Sequence, residues 1–257
     1  MHDEIRTRLL ERLDWMRLSP AVAVDVGCAT GLAARALAAR YPNARVLALD
    51  TSERMLRAAR AERGEAPIEI VAGAAEALPL APASVDVAVL NLSLPWCDPA
   101  AAFAELARVL AAGGLALFAT LGPDTCEELR RAWRAVDDRV HVHAFVDMHD
   151  VGDLAVRAGL AEPVLDVDRI RLSYESVAAL VRDFRAWGAV NVAAGRRKTL
   201  TGVRRWQRFV REMESASPFS VTIEAVLGHA WGTGRAMQGS GRGEFTIAAN
   251  SIRRRGR

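Results

Sequence analysis

Residues 22–50 read VAVDVGCATGLAARALAARYPNARVLALD. An apolar run ends at Asp25. A turn of small residues follows: Gly27, Cys28, Ala29, Thr30 and Gly31. A helical pattern comes next, then a second apolar run that ends in an acid, Asp50. Strand, glycine turn, helix, strand and acid, in that order, make the first half of a nucleotide-binding βαβ unit. The turn spells D-x-G-x-x-x-G, not the G-x-G-x-x-G of a dinucleotide site. Gly27 lets the backbone turn sharply off the strand, and Gly31 lets a ligand lie close to the helix start. A helix N-terminus favours an anionic group. An ionised carboxylate at a strand end, Asp50, can accept both hydroxyls of a ribose.

This turn resembles motif I of the class I S-adenosylmethionine methyltransferases. The resemblance implies that Asp25, Gly27, Cys28, Ala29 and Gly31 cradle the cofactor's amino-acid end. It implies that Asp50, Thr51 and Met55 meet its ribose and adenine side. Ala29 replaces the glycine most common in that turn. After the third strand, residues 71–80 (VAGAAEALPL) occupy the place of a G-D-A-x-x-L-P loop, whose acid accepts from the adenine amino group. Ala74 stands where that acid would be. The adenine contact then falls to backbone near Ala75, to Glu76, or to water. Asn91 and Leu92 close the fourth strand, where the resemblance places the lining of the methyl-transfer site. The following LSLPWC has no Asn/Asp-Pro-Pro-aromatic motif, which disfavours amino methylation of DNA bases.

At 257 residues the chain makes one large α/β domain, or one domain with a cap. It carries 51% hydrophobic residues and a net charge of only +3. Cys28, Cys97 and Cys126 have no metal-ligand spacing and form no disulfide framework, which points to a reducing, cytoplasmic compartment. Residues 1–16 read as an amphipathic helix rather than a signal peptide, and no run spans a membrane. The charge distribution says more than the total. Residues 195–211 (GRRKTLTGVRRWQRFVR) hold seven basic residues and no acid, and the chain ends RRRGR. Such a stripe suits an acidic partner or a solvated helix face.

Strand-like runs fall at 21–26, 45–49, 68–72, 85–90 and 114–120, with helices at 31–40, 52–63 and 99–110 between them. Thr51-Ser52 and Asp98-Pro99 are good helix starts. This alternation predicts a Rossmann-like, doubly wound, mostly parallel sheet of seven strands. Beyond it come helices at 126–136, 147–159, 174–187 and 200–214, a strand over 163–172 and a last strand over 219–231. The expected division is a cofactor-binding core at 1–172, a basic helical cap at 173–217, a final core strand at 218–231 and a loose basic tail at 232–257. His141, His143 and His149, with Asp147 and Asp150, cluster without a spacing that demands a metal, and none is expected. Trp96 is either a wall of the cofactor pocket or core packing.

Six segments together resemble the malonyl-[acyl-carrier protein] O-methyltransferases of biotin synthesis: residues 92–98 (LSLPWCD), 118–129 (FATLGPDTCEEL), 145–153 (FVDMHDVGD), 164–168 (VLDVD), 188–197 (GAVNVAAGRR) and 200–202 (LTG). The likeness runs from about Ile5 to Trp231. Family members usually carry a longer segment ahead of the first helix, with Ser-Phe and Ala-x-x-Tyr-Asp elements that help close the site; this sequence begins without it. Pro95 stands where the family commonly has Gln, so contacts of that Gln do not transfer. The resemblance implies methyl transfer from S-adenosylmethionine to the free carboxylate of a malonyl thioester, on acyl-carrier protein or coenzyme A. A carboxylate is already ionised at pH 7, so no base is assigned. Arg196, Arg197 and His143 are the candidates to hold it. A membrane partner is not expected, and nucleic acid is disfavoured because no RNA-binding module or interleaved aromatic stripe occurs. A cofactor-binding protein without methyl transfer, like the respiratory-complex assembly factors that share this fold and cap, stays open. So does a methyltransferase for another small molecule.

Overall fold

Apolar runs too short for helices and bounded by turns become the strands of one sheet, and the periodic segments between them become its helices. The computed structural model describes residues 1–216 and 218–234. Seven strands are present: β1 (Val22–Val26), β2 (Arg45–Asp50), β3 (Ile68–Ala72), β4 (Val85–Asn91), β5 (Leu110–Leu121), β6 (Ala161–Tyr174) and β7 (Phe219–Trp231). Their order across the sheet is β3-β2-β1-β4-β5-β7-β6. The pairs among β1 to β5 are parallel, and β7 runs antiparallel to both β5 and β6. The expected doubly wound, mostly parallel sheet is borne out.

The chain starts at β1, winds outward through β2 and β3, and returns to lay β4 on the other side of β1. The order therefore reverses between β1 and β4. In such sheets ligands bind at that switch point, outside the carboxyl ends of the strands.

Helices α1 (His2–Glu11), α2 (Leu32–Arg40) and α3 (Glu53–Glu62) pack on one face, burying Ile5, Leu9, Leu37 and Leu56. Helices α4 (Pro99–Val109) and α6 (Met148–Arg157) cover the other through Phe103, Leu106, Val151 and Ala155. Helix α5 (Glu127–Arg134) joins the first face through Leu129 and Ala132. So do α7 (Val177–Ala186) and α8 (Val203–Met213), which lie between β6 and β7 in sequence. Among the described residues no helix is long and apolar enough to cross a membrane.

Local chemistry sets the boundaries, and it shifts several of them from expectation. Ser52 caps α3 and Asp98 caps α4, as the sequence indicates. The helix expected from 174 starts at 177, because Ser176 caps it and Tyr174 is still paired with Phe219 in β6. The helix expected from 200 starts at 203, after Gly202. The helix expected over 126–136 spans 127–134, since Cys126 precedes it at φ +59. Strand β5 begins at Leu110 rather than 114: Leu110 pairs with Val85, and the register shifts before Leu115 pairs with Val87, with Gly113 at φ +74 in the bulge. From residue 235 onward, the basic tail expected over 232–257 lies outside the described residues.

Candidate active site

The turn after β1 is tied to the end of β2. The amides of Gly27 and Cys28 both donate to the Leu49 carbonyl at 2.8 Å, and Gly31 N donates to Cys28 O at 2.7 Å. Gly27 and Gly31 sit at φ +75 and +80, in the left-handed region that glycine occupies without strain. Ala29 is also left-handed, at φ +47, so the missing glycine leaves a strained alanine of the kind found at ligand sites. Asp50 is held by two backbone donors: Ala29 N reaches Oδ2 at 2.9 Å and Ser52 N reaches Oδ1 at 2.8 Å. Each carboxylate oxygen keeps a further acceptor site. Asp25 lies beneath the turn, buried, and accepts from Ala34 N at 2.9 Å. Burial pushes its carboxyl up to about 7; the Ala34 hydrogen bond opposes this and the nearby Asp50 charge adds to it. Burial also pushes the Cys28 thiol far above its ordinary range, so it packs rather than reacts.

The other expected cofactor residues follow the carboxyl ends of β2, β3 and β4. Thr51 and Met55 follow Asp50, with Met55 38% exposed at the start of α3. The loop after β3 is pinned by Gly73 N donating to Asp50 O at 3.1 Å, which brings Ala74 and Ala75 alongside. Glu76 follows in this loop, its Oε1 accepting from Asp98 N at 3.1 Å, at the start of α4. Asn91 ends β4 with its Oδ1 buried and without a hydrogen-bond partner among the described residues. Leu92 adopts φ +59, a left-handed strain for a branched residue. Ser93 then faces Gly27 closely: a Cβ on Gly27 would lie 2.5 Å from Ser93 Cβ. The Ser93 hydroxyl is buried and unpartnered among the described residues. An oxygen-rich, partly unsatisfied switch point with Asp25 beneath the turn and Asp50 beside it suits a polar ligand bearing hydroxyls and positive charge, and S-adenosylmethionine is such a ligand.

Beyond this crevice two segments are stitched together. Arg197 Nη2 donates to Asp137 Oδ2 at 2.9 Å, and His141 Nε2 meets Asp137 Oδ1 at 2.8 Å. Asn191 Nδ2 donates to Val140 O at 2.8 Å, and Val192 N donates to His143 Nε2 at 3.3 Å. The last bond requires His143 to carry its proton on Nδ1. Burial alone would raise the Asp137 carboxyl. Bonds from His141, the Arg139 amide and Arg197 outweigh it and hold Asp137 well below the usual carboxylate range. Arg196 points elsewhere, its Nη1 resting on the Val192 and Ala193 carbonyls of its own loop. Trp96 is 59% exposed, so it is not core packing; it stands edge-on to His143 at 6.5 Å between ring centroids. His149 pairs with Asp147 at the start of α6, apart from His141 and His143. Among the described residues no three His, Cys, Asp or Glu side chains converge as a metal site would need.

A methyltransferase domain family matches residues 24–118, the stretch from β1 through most of β5. The malonyl-[acyl-carrier protein] O-methyltransferase of Gallionella capsiferriformans is 43% identical over 239 residues, 89% of this chain and 82% of that protein. The protein of the same name from Laribacter hongkongensis is 44% identical over 242 residues, 89% of this chain and 81% of its own. The chain belongs to the malonyl-[acyl-carrier protein] O-methyltransferase family. The expected class I, S-adenosylmethionine-dependent methyltransferase is thereby borne out. Among solved structures, a putative methyltransferase from Bacillus halodurans superimposes with a TM-score of 0.63 at 19% identity, over 89% of this chain and 98% of that one, and supports the fold.

Within this family's sequence pattern, the structure adds residues that sequence reasoning did not single out. Ser93 and Asp137 carry the contacts just described, yet neither has a local signal. Ser93 matters through Gly27, and Asp137 through Arg197, both distant in sequence. The GPDT segment stands out in the sequence, but its partner does not. Glu224 of β7, almost fully buried, accepts from Asp124 N at 2.7 Å, and Thr125 Oγ1 accepts from Glu224 N at 3.1 Å. These bonds fix the loop at the carboxyl end of β5.

Proposed function

We propose that this chain methylates the free carboxylate of a malonyl thioester on acyl-carrier protein, with S-adenosylmethionine as donor, at the start of biotin (pimeloyl) synthesis in the cytoplasm. The observation that carries this reading is the 43–44% identity to proteins of that name across four-fifths of their length.

The residues have separable roles. Gly27, Ala29 and Gly31 shape the bed for the cofactor's amino-acid end, Asp25 and Asp50 supply negative charge, and Asp50 accepts from the ribose. Ala74 and Ala75 offer backbone to the adenine, while Asn91 and Leu92 border the transfer site. S-adenosylmethionine supplies the methyl on a positively charged sulfur. The substrate carboxylate, with a pKa near ~4, is ionised at pH 7, so the protein needs to orient it rather than deprotonate it. Catalysis then comes from alignment and from exclusion of water.

Of the three candidates to hold that carboxylate, Arg197 and His143 fit best. Both belong to the stitched segments beside Trp96, Arg197 Nε is buried without a partner among the described residues, and His143 has Nδ1–H free to donate. Arg196 is spent on its own loop. We assign the cap to residues 175–217, since β6 runs through Tyr174. Its α8 presents Arg204, Arg205, Arg208 and Arg211, all exposed and free of ion pairs among the described residues, to an acidic carrier.

The test is the intact mass of malonyl-carrier after incubation with the protein and S-adenosylmethionine. One added methyl on malonyl-carrier, and none on acetyl-carrier, is expected. Cofactor binding without any added methyl would overturn the reading in favour of a binding protein.

A further inference from the structure

A second cavity of about 690 Å³ lies outside the cofactor crevice, between α5 and residues 137–144. One wall is rigid. Trp133 stacks on His141 at 3.8 Å and 2°, and on Phe209 of α8 at 4.2 Å and 12°. Val140 and Val142 add apolar lining. Arg134 and Arg139 line it too, both exposed and without a partner for their guanidiniums among the described residues. Arg130 Nη2 is bound to the Pro123 carbonyl at 2.6 Å, but its Nε is buried and lacks an acceptor. Asp137 is neutralised by Arg197, which leaves Asp138 as the uncompensated acid against three arginines. His143 also lines the cavity and stands edge-on to Trp96, which follows Asn91 and Leu92 in sequence.

This arrangement describes its ligand. Its lining combines aromatic and aliphatic side chains with two exposed, unpaired guanidiniums. Free exposed guanidiniums call for an anion, best a phosphate. We infer that the cavity takes the pantetheine arm of the acyl thioester along Trp133, Val140 and Val142, with Arg134 and Arg139 on the phosphate ester. The thioester and its carboxylate then emerge past His143 toward Asn91. This inference rests on the proposed reaction. A carrier protein and coenzyme A both present that phosphorylated arm.

The experiment compares methylation of malonyl-pantetheine with that of malonyl-4′-phosphopantetheine by the wild-type protein. Two charge-assisted contacts give an expected gain in kcat/KM of at least about tenfold for the phosphorylated arm. The Arg134→Ala/Arg139→Ala variant brings the phosphorylated arm down to the rate of the other, and Arg134→Lys/Arg139→Lys restores part of the difference. Equal kcat/KM for the two arms in the wild type overturns the inference and leaves the reaction intact. Methylation of neither arm, nor of malonyl-carrier, overturns both. Malonyl-coenzyme A and malonyl-carrier in the same assay separate the two sources: the carrier's advantage falls with salt, whereas the contribution of Arg134 and Arg139 is common to both.

Discussion

Gly27 at the end of β1 and Ser93 after β4 are in closer contact than a side chain at residue 27 would permit, with only 2.5 Å between a Cβ at 27 and that of Ser93. This contact is the floor of the switch point where the sheet order reverses. Gly27→Ala therefore meets two penalties, left-handed backbone and a clash with atoms that no flexible tip can move aside. We expect a loss of roughly 2–4 kcal/mol in stability and a marked loss of cofactor affinity. Gly113→Ala is the control. It has the same backbone sign, φ +74, but open space around the new methyl, so about 1 kcal/mol is expected. Denaturant unfolding and calorimetric titration with S-adenosylmethionine check both; equal effects would show that φ alone matters.

Arg197 and Asp137 form the second relationship that decides behaviour, since their side chains are only 19% and 13% exposed. Removing one partner strands the other in a partly buried place. Asp137→Ala is expected to cost about 1–3 kcal/mol at pH 7. The folded protein holds this carboxyl below its unfolded value, so the stabilisation is present above about pH 4 and is lost as pH falls toward the depressed value. The wild type should thus lose its margin over Asp137→Ala on acidification. Arg197→Ala should also raise KM for the malonyl substrate by about tenfold or more, with Arg196→Ala changing it far less. Comparable KM effects from the two arginines would remove the assignment of Arg197.

What the sequence made legible was local, and what it hid was long-range. The glycine turn, the acid at Asp50 and the caps at Ser52 and Asp98 depend on neighbours within a few residues, so composition and spacing expose them. The end of β6 at Tyr174 depends on Phe219, and the early start of β5 on Val85; neither partner is near in sequence. The same holds at the site. Motif I announces its crevice, whereas the stitching of residues 137–143 to 191–197 needs the fold before Asp137 acquires any meaning. Glu76 has one of each: its place in the loop is read locally, whereas its bond from the Asp98 amide needs the fold.

The exposed arginines of α8 predict salt dependence. Coulomb attraction between a basic helix and an acidic carrier is screened over about 8–10 Å at physiological ionic strength. Raising salt from 50 to 500 mM, concentrations set by the assay, should raise KM for malonyl-carrier several-fold and leave KM for malonyl-pantetheine nearly flat. Arg204→Glu/Arg208→Glu should raise the carrier's KM at low salt and flatten the slope. A carrier KM indifferent to both salt and charge reversal would place the docking face elsewhere.

Asp25 gives the cofactor a pH dependence whose sign is fixed. Its folded carboxyl titrates near 7, whereas in an unfolded chain an aspartate releases its proton at about 3.9. Between those values the folded state holds more protons, so this group's contribution to stability is full at low pH and is lost as pH rises through 7. Without cofactor, the Tm of the wild type should therefore fall between pH 5 and pH 8 more steeply than that of Asp25→Asn, which keeps an oxygen for Ala34 N. S-adenosylmethionine reverses the preference, because its ammonium and sulfonium charges favour an ionised Asp25. Its affinity should rise with pH from about 6 to 8, by up to about tenfold per unit below 7, with proton uptake by buffer on binding. The slope and the proton release should vanish together in Asp25→Asn. Identical slopes in the two proteins would mean that another group carries the linkage, and that the buried acid beneath the turn serves packing alone.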